Sequence, residues 1–160
     1  MTLLETTMAF SLAAMLLTPV LGLLHTSRQV WEVTDSDTSR VHTLHATLRN
    51  VSEQLRSAKV ITAVETLPGK SARLSFVNAS GQVRGWLHDS RLKQVVFLQP
   101  GSTDLLAEGI EEVQFETYSA AGVLTVHPPD VRQIRCRMTV QLQGKNNERR
   151  TAECWTWLRG

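Results

Sequence analysis

The chain has 160 residues, 42% of them apolar and 20% charged. That length suits a single domain, and no internal repeat is visible. Lys plus Arg number 17 against 15 Asp plus Glu, a net charge of +2; the densest basic clusters, Arg132/Arg135/Arg137 and Lys145/Arg149/Arg150, read as a solvated strand face and a charged turn, which argues against nucleic acid as a partner.

The apolar residues are unevenly placed. Sixteen of the first 24 residues are apolar, and residues 6–24 carry no charge. A bilayer core takes about 20 mostly apolar residues, so the run is long enough to cross one. It is apolar on every face, unlike a surface helix. It also holds Pro19 and Gly22, which membrane helices tolerate better than soluble ones. A cleaved signal peptide needs a basic start and a small-residue cleavage site, and a plain anchor carries Lys or Arg on its cytoplasmic side. Here the first Lys or Arg is Arg28, and the only charges ahead of the run are the amino terminus and Glu5. A carboxylate inside an apolar segment is costly unless paired. An amine four residues away and the positive end of a helix both favour it; the plainer alternative is that Glu5 sits in the headgroup layer.

Met1-Thr2-Leu3-Leu4-Glu5 followed by an uninterrupted apolar helix resembles the mature start of the type IV pilin-like superfamily. The family's usual first residue is Phe, so Met1 is a departure, and it stands either for a processed end or for an initiator. The resemblance implies a short basic leader ending in Gly, its removal by prepilin peptidase, and methylation of the new amino terminus. It also implies that Glu5 pairs with the terminal amine of a neighbouring subunit and sets axial register. Pro19 and Gly22 are then where the helix loosens in the assembled filament.

Residues 25–60 continue as helix-like sequence. Val41, Leu44, Leu48, Val51, Leu55 and Ala58 fall on one stripe, with Arg40, Arg49, Glu53, Arg56 and Lys59 on other faces. Glu32–Ser39 is polar and rich in poor helix formers, so it reads either as a solvated helical stretch or as a local break with Asp37 or Thr38 as a new N-cap; one long helix, bent or loosened near 33–38, is the favoured reading. Leu67-Pro68-Gly69 then ends the helical region. The expected layout is a membrane or filament-core helix over 1–24, its continuation over 25–64, and a β-rich domain over 65–160.

Beyond residue 70 the period becomes two. Predicted strands are Arg73–Val77, Val83–His88, Lys93–Gln99, Val113–Tyr118, Ile134–Leu142 and Arg149–Leu158. Turns fall at Asn78–Gly81, Pro100-Gly101 and Ala120–Gly122, a short turn lies in the stretch opening at Leu105, and His127-Pro128-Pro129 is a loop. Five or six strands make a mostly antiparallel sheet, covered by the 41–58 stripe: an α+β fold. A long N-terminal helix on such a sheet is the pilin-like architecture. The stretch Leu105–Tyr118 is similar to one in minor pseudopilin J of type II secretion and the related minor pilin W group.

If the last hairpin is centred on Lys145, Cys136 stands opposite Cys154, within disulfide reach. An exported domain meets an oxidising compartment, so the pair is a disulfide candidate; the alternative is two free thiols. Trp155 and Trp157 fall on the opposite face, either covering the sheet or forming a contact patch. No Cys/His spacing suits zinc. His42 and His45 have no carboxylate to complete a metal site, and Asp35 and Asp37 lack the glycine and terminal Glu of a calcium loop. His88-Asp89-Ser90 cannot form a triad from neighbours on one strand. Asn50 and Asn78 open glycosylation-type sequons, better read as helix surface and turn.

These readings converge on a non-enzymatic structural subunit with no cofactor. On the pilin-like resemblance it is expected to be a minor pseudopilin or pilin, anchored once in the bacterial inner membrane with its C-terminal domain in the periplasm. It packs with other minor and major pseudopilins or pilins at or near a filament tip. The alternatives are a monomeric membrane-anchored binding or sensor domain, and a tethered enzyme for which no nucleophile–base pair is visible.

Overall fold

Helix α1 runs without a break from Leu3 to Arg56, 54 residues, or roughly 80 Å at the α-helical rise. The computed structural model describes residues 3–65, 71–144 and 148–158. The helix ends on Arg56, whose charge suits the negative end of the dipole. Ser57 closes it, donating from its backbone N–H and its hydroxyl to the Gln54 carbonyl at 3.0 and 2.7 Å.

The predicted loosening at 33–38 is absent. The poor helix formers there are accommodated in two ways: Ser36 and Asp37 bond to Gln143 of the domain, and the threonine hydroxyls turn back onto the helix. Thr34 donates to the Val30 carbonyl at 2.8 Å and Thr38 to the Thr34 carbonyl at 2.8 Å, so no chain end needs capping. The helix also stops earlier than the 25–64 expectation, and Ala58–Glu65 is strand β1. The β-branched residues Val60, Ile61, Thr62 and Val64 favour the extended chain, and Ala58 is buried from a strand rather than from the helical stripe. The Leu67-Pro68-Gly69 stop signal lies outside the described residues.

Among the described residues eight strands follow in two antiparallel meanders, more than the single sheet of five or six strands expected. The first sheet orders β1 beside β2 (Ala72–Asn78), β3 (Val83–Asp89), β4 (Gln94–Gln99) and β5 (Ser102–Glu108). The second comprises β6 (Ile110–Tyr118), β7 (Gln133–Gln141) and β8 (Arg149–Trp157). The division falls at Gly109, whose φ of +75° turns the chain out of β5. The stretch opening at Leu105 therefore belongs to strand β5, and its turn is the single glycine.

Both sheets and the helix share one core. Leu44, Leu48, Val51 and Leu55 enter it from α1, which lies against β7 and β8 and touches β5. Each such side chain contributes about 1.5–3 kcal/mol by leaving water. From the first sheet Trp86 stacks on Phe76 at 5.1 Å between ring centroids and tilts against Phe97 at 5.4 Å. Its indole N–H donates to the Asn50 side-chain oxygen at 3.3 Å, tying sheet to helix. Gly85 sits beside this stack because a Cβ there would collide with the Leu74 carbonyl oxygen.

Candidate functional site

The features that set this molecule apart are surfaces rather than a pocket. The first is the helix itself. From Leu3 to Leu24 every large apolar side chain is exposed, Leu3 at 86%, Phe10 at 78% and Leu23 at 71%. These 22 positions cover roughly 33 Å of helix, matching a hydrocarbon core of about 30 Å. The helix is long and apolar enough to cross a membrane. Glu5 lies in its first turn. Met1 and Thr2 are outside the described residues. Helical structure passes through Pro19 and Gly22. Pro19 has no N–H for the carbonyl four residues earlier, while the Thr18 hydroxyl occupies the Ala14 carbonyl at 2.9 Å and the Thr26 hydroxyl the Gly22 carbonyl at 3.0 Å.

Above this span the helix is a bare stalk. Val30 and Trp31 are exposed at 59% and 73%, and an ion pair between Arg28 and Glu32, one helical turn apart, sits at 2.9 Å. Hydrogen bonding to the domain begins at Ser36, whose hydroxyl donates to the Gln143 side-chain oxygen at 3.3 Å. Asp37 accepts the Gln143 backbone N–H at 2.6 Å, and Arg40 donates to the Gln141 carbonyl at 2.7 Å. Asp37 therefore secures the tip of the β7–β8 hairpin instead of capping a new helix.

The second surface is the outer face of the three-stranded sheet. Trp155 and Trp157 stand on it, exposed at 46% and 62%. Trp155 is held by neighbours: the Tyr118 ring at 5.4 Å, the Arg135 guanidinium at 5.2 Å from its ring, and Glu153, which accepts its indole N–H at 3.3 Å. Arg135 also bridges Glu153 at 2.5 Å and Glu116 at 3.2 Å. The Arg135 hydrogen bond holds the Glu153 carboxyl below its usual range, and Glu153 in turn raises Arg135. Tyr118 donates to Glu116 at 2.8 Å, and this bond to a carboxylate raises its phenol.

A third surface escaped the sequence reading. On the outer face of the first sheet, cross-strand register aligns Val60, Val77 and Val83 in one row, and Leu87, Val96 and Leu105 in another. Val60, Val83 and Leu105 are about half exposed, at 50%, 57% and 52%. An antiparallel sheet with one face on a core normally turns polar side chains outward. The available signal was Val95-Val96-Phe97-Leu98, apolar at both parities.

The other candidates resolve into structure. Cys136 and Cys154 are opposite one another, and both are free thiols. His42 and His45 are exposed on α1. Among the described residues no group of three or more His, Cys, Asp or Glu is arranged to hold a metal. His88 is buried; its Nε2–H donates to the Ile110 carbonyl at 2.9 Å, while Nδ1 is buried without a partner. Asp89 closes a turn by accepting the Arg91 and Leu92 N–H groups at 2.9 and 3.2 Å, bonds that pull its carboxyl below the usual range. Asn78 is buried and accepts the Ser80 and Gln82 N–H groups, an Asx turn.

No protein-family model, curated protein or solved structure matches this chain.

Proposed function

We propose that this protein is a non-enzymatic, membrane-anchored subunit of a pilin-like filament, inserted once in the bacterial inner membrane with its sheet domain in the periplasm. The observation that carries the reading is the helix: one continuous rod whose first half is exposed and mostly apolar and whose last turns, from Leu44 to Leu55, enter the domain core. A lone anchor needs only the first half joined by any linker. A rigid fusion of anchor and core instead fixes where each domain sits when neighbouring rods pack. A carboxylate in the first turn of such a rod sets axial register if it meets a neighbour's terminal amine. The Met1–Glu5 pattern and the Leu105–Tyr118 stretch point to the minor pseudopilins of type II secretion or the related minor pilins. Its partners are then related pseudopilins or pilins, after prepilin peptidase has removed a leader.

The test is Glu5→Ala, produced in the native host. The wild-type protein should migrate in high-mass complexes after membrane crosslinking. The variant should insert in the membrane in equal amount yet stay out of those complexes, an expected loss of at least tenfold. A wild-type chain found only as a monomer would favour the alternative, an anchored binding or sensor domain. Mass spectrometry of the mature N-terminus should show an N-methylated residue ahead of Thr2.

A further inference from the structure

The two thiols are chemically unequal. Cys136 lies on the middle strand β7 and is wholly buried. Cys154 lies on β8, the outer strand of its sheet, and is only partly buried. The Leu142 N–H donates to the Glu148 carbonyl at 2.8 Å and the Leu158 N–H to the Arg132 carbonyl at 2.9 Å. In this register every second pair from Arg132–Leu158 to Leu142–Glu148 exchanges backbone hydrogen bonds, and Cys136–Cys154 is one of them. Such pairs have Cα atoms about 5.5 Å apart, inside the range that a disulfide spans. The Cys154 sulfur also reaches the Leu48 carbonyl of α1 at 3.7 Å, so the pair sits where the hairpin meets the helix.

We propose that Cys154 is the entry thiol and Cys136 the resolving thiol of an intramolecular disulfide, made by exchange with an external disulfide oxidant. The Cys154 thiolate attacks one sulfur of the oxidant. A mixed disulfide forms, and the oxidant's other sulfur leaves as a thiolate. Cys136 then gives its proton to that leaving thiolate and attacks the Cys154 sulfur. The Cys136–Cys154 bond forms, and the second half of the oxidant departs as a thiolate, which takes up from solvent the proton that Cys154 released on ionising. Two protein thiols lose two electrons, and one disulfide is reduced to two thiols. The order follows from access and charge. A hydrogen bond from Cys136 lowers Cys154 and favours its thiolate, while burial pushes Cys136 well up. The reverse order would bring the oxidant to a sulfur that no solvent reaches. The filament reading enters only in supplying the oxidising compartment; the chemistry belongs to the chain alone.

The experiment uses the full chain, reduced and held in detergent, with oxidised glutathione as the probe. Limiting iodoacetamide should label Cys154 at least tenfold faster than Cys136, by peptide mass spectrometry. Glutathione disulfide should then yield protein lighter by two hydrogens and carrying no adduct. Cys136→Ala should accumulate a glutathione adduct at Cys154, and Cys154→Ala should accumulate none. Faster labelling of Cys136, an adduct trapped in Cys154→Ala, or stable mixed disulfide on the wild-type chain would overturn the assignment. The wild-type labelling ratio needs no variant, so it stands even if Cys136→Ala misfolds. Assembly plays no part in any of these readouts, so a failed Glu5 experiment leaves them intact.

Discussion

Trp86 concentrates more of the fold than any other side chain described. It is fully buried, stacks on two rings and spends its one donor on the helix. Trp86→Ala removes the stack and leaves a cavity, and large-to-small changes of this kind cost about 3–5 kcal/mol. Chemical denaturation in detergent should show that loss, whereas Trp86→Phe should keep more than half of the stability. Asp89 acts at the surface. Its carboxyl is held below its ordinary value of 3.8 by two backbone N–H groups. A depressed folded value means stability that is complete above the unfolded value and lost as pH falls through the folded one. The thermal midpoint should therefore drop as pH falls below about 5 and keep falling through the depressed folded value. Asp89→Asn keeps an acceptor oxygen but not the titration, and should flatten part of that drop. An unchanged slope would remove Asp89 from the acid response.

Among the elements, the β7–β8 hairpin was the most legible before any coordinates. A turn centred on Lys145 puts Cys136 opposite Cys154, the pairing the structure has, and a one-residue slip would turn Ile134, Met138 and Val140 to water. The helical stripe at Leu44, Leu48, Val51 and Leu55 was equally readable, since spacing alone defines a face. The end of the helix was not. Ala58 and Ile61 satisfy both a helical stripe and a strand, and only the pairing with β2 decides between them. Nor was the split into two sheets, which hangs on one glycine's φ. Of the surfaces, the exposed apolar half of the helix was legible because its length and composition are enough to cross a membrane. The outer face of the first sheet was not, because apolar residues at both parities read as burial on both sides. Asp37 shows how a side chain flagged for one role takes another once a distant segment arrives. Asp37→Ala should free the hairpin tip at a cost of about 1–2 kcal/mol. Hydrogen exchange should speed up at Gln143 and Gly144 while β6 and the middle of β7 stay protected; uniform protection would show that Asp37 does not hold the tip.

At the scale of the whole molecule, the exposed apolar half of the helix and the domain are energetically separable though physically continuous. Hydrogen bonds from α1 to the sheets begin at Ser36, and the apolar residues of the first half are exposed. A chain beginning at Val33 should therefore stay soluble and monomeric without detergent, with a thermal midpoint within about 4 °C of the full protein in detergent. Circular dichroism and sedimentation would check it. Unfolding or aggregation of that shorter chain would mean that the bare stalk contributes to folding.

The unbroken run from Leu3 to Arg56 also has a mechanical meaning. A flexible linker would absorb displacement as slack; a helix with its backbone ladder intact through Glu32–Ser39 carries tension and torque as a shaft does. A push or twist applied to the exposed apolar half arrives directly at Leu44, Leu48, Val51 and Leu55, and at Gln143, held by Asp37. The compliant point of this shaft is Pro19, where one rung of the ladder lacks its donor. Bending at that point would fall in the exposed apolar half, leaving the sheet domain to move with its half of the rod as one rigid load.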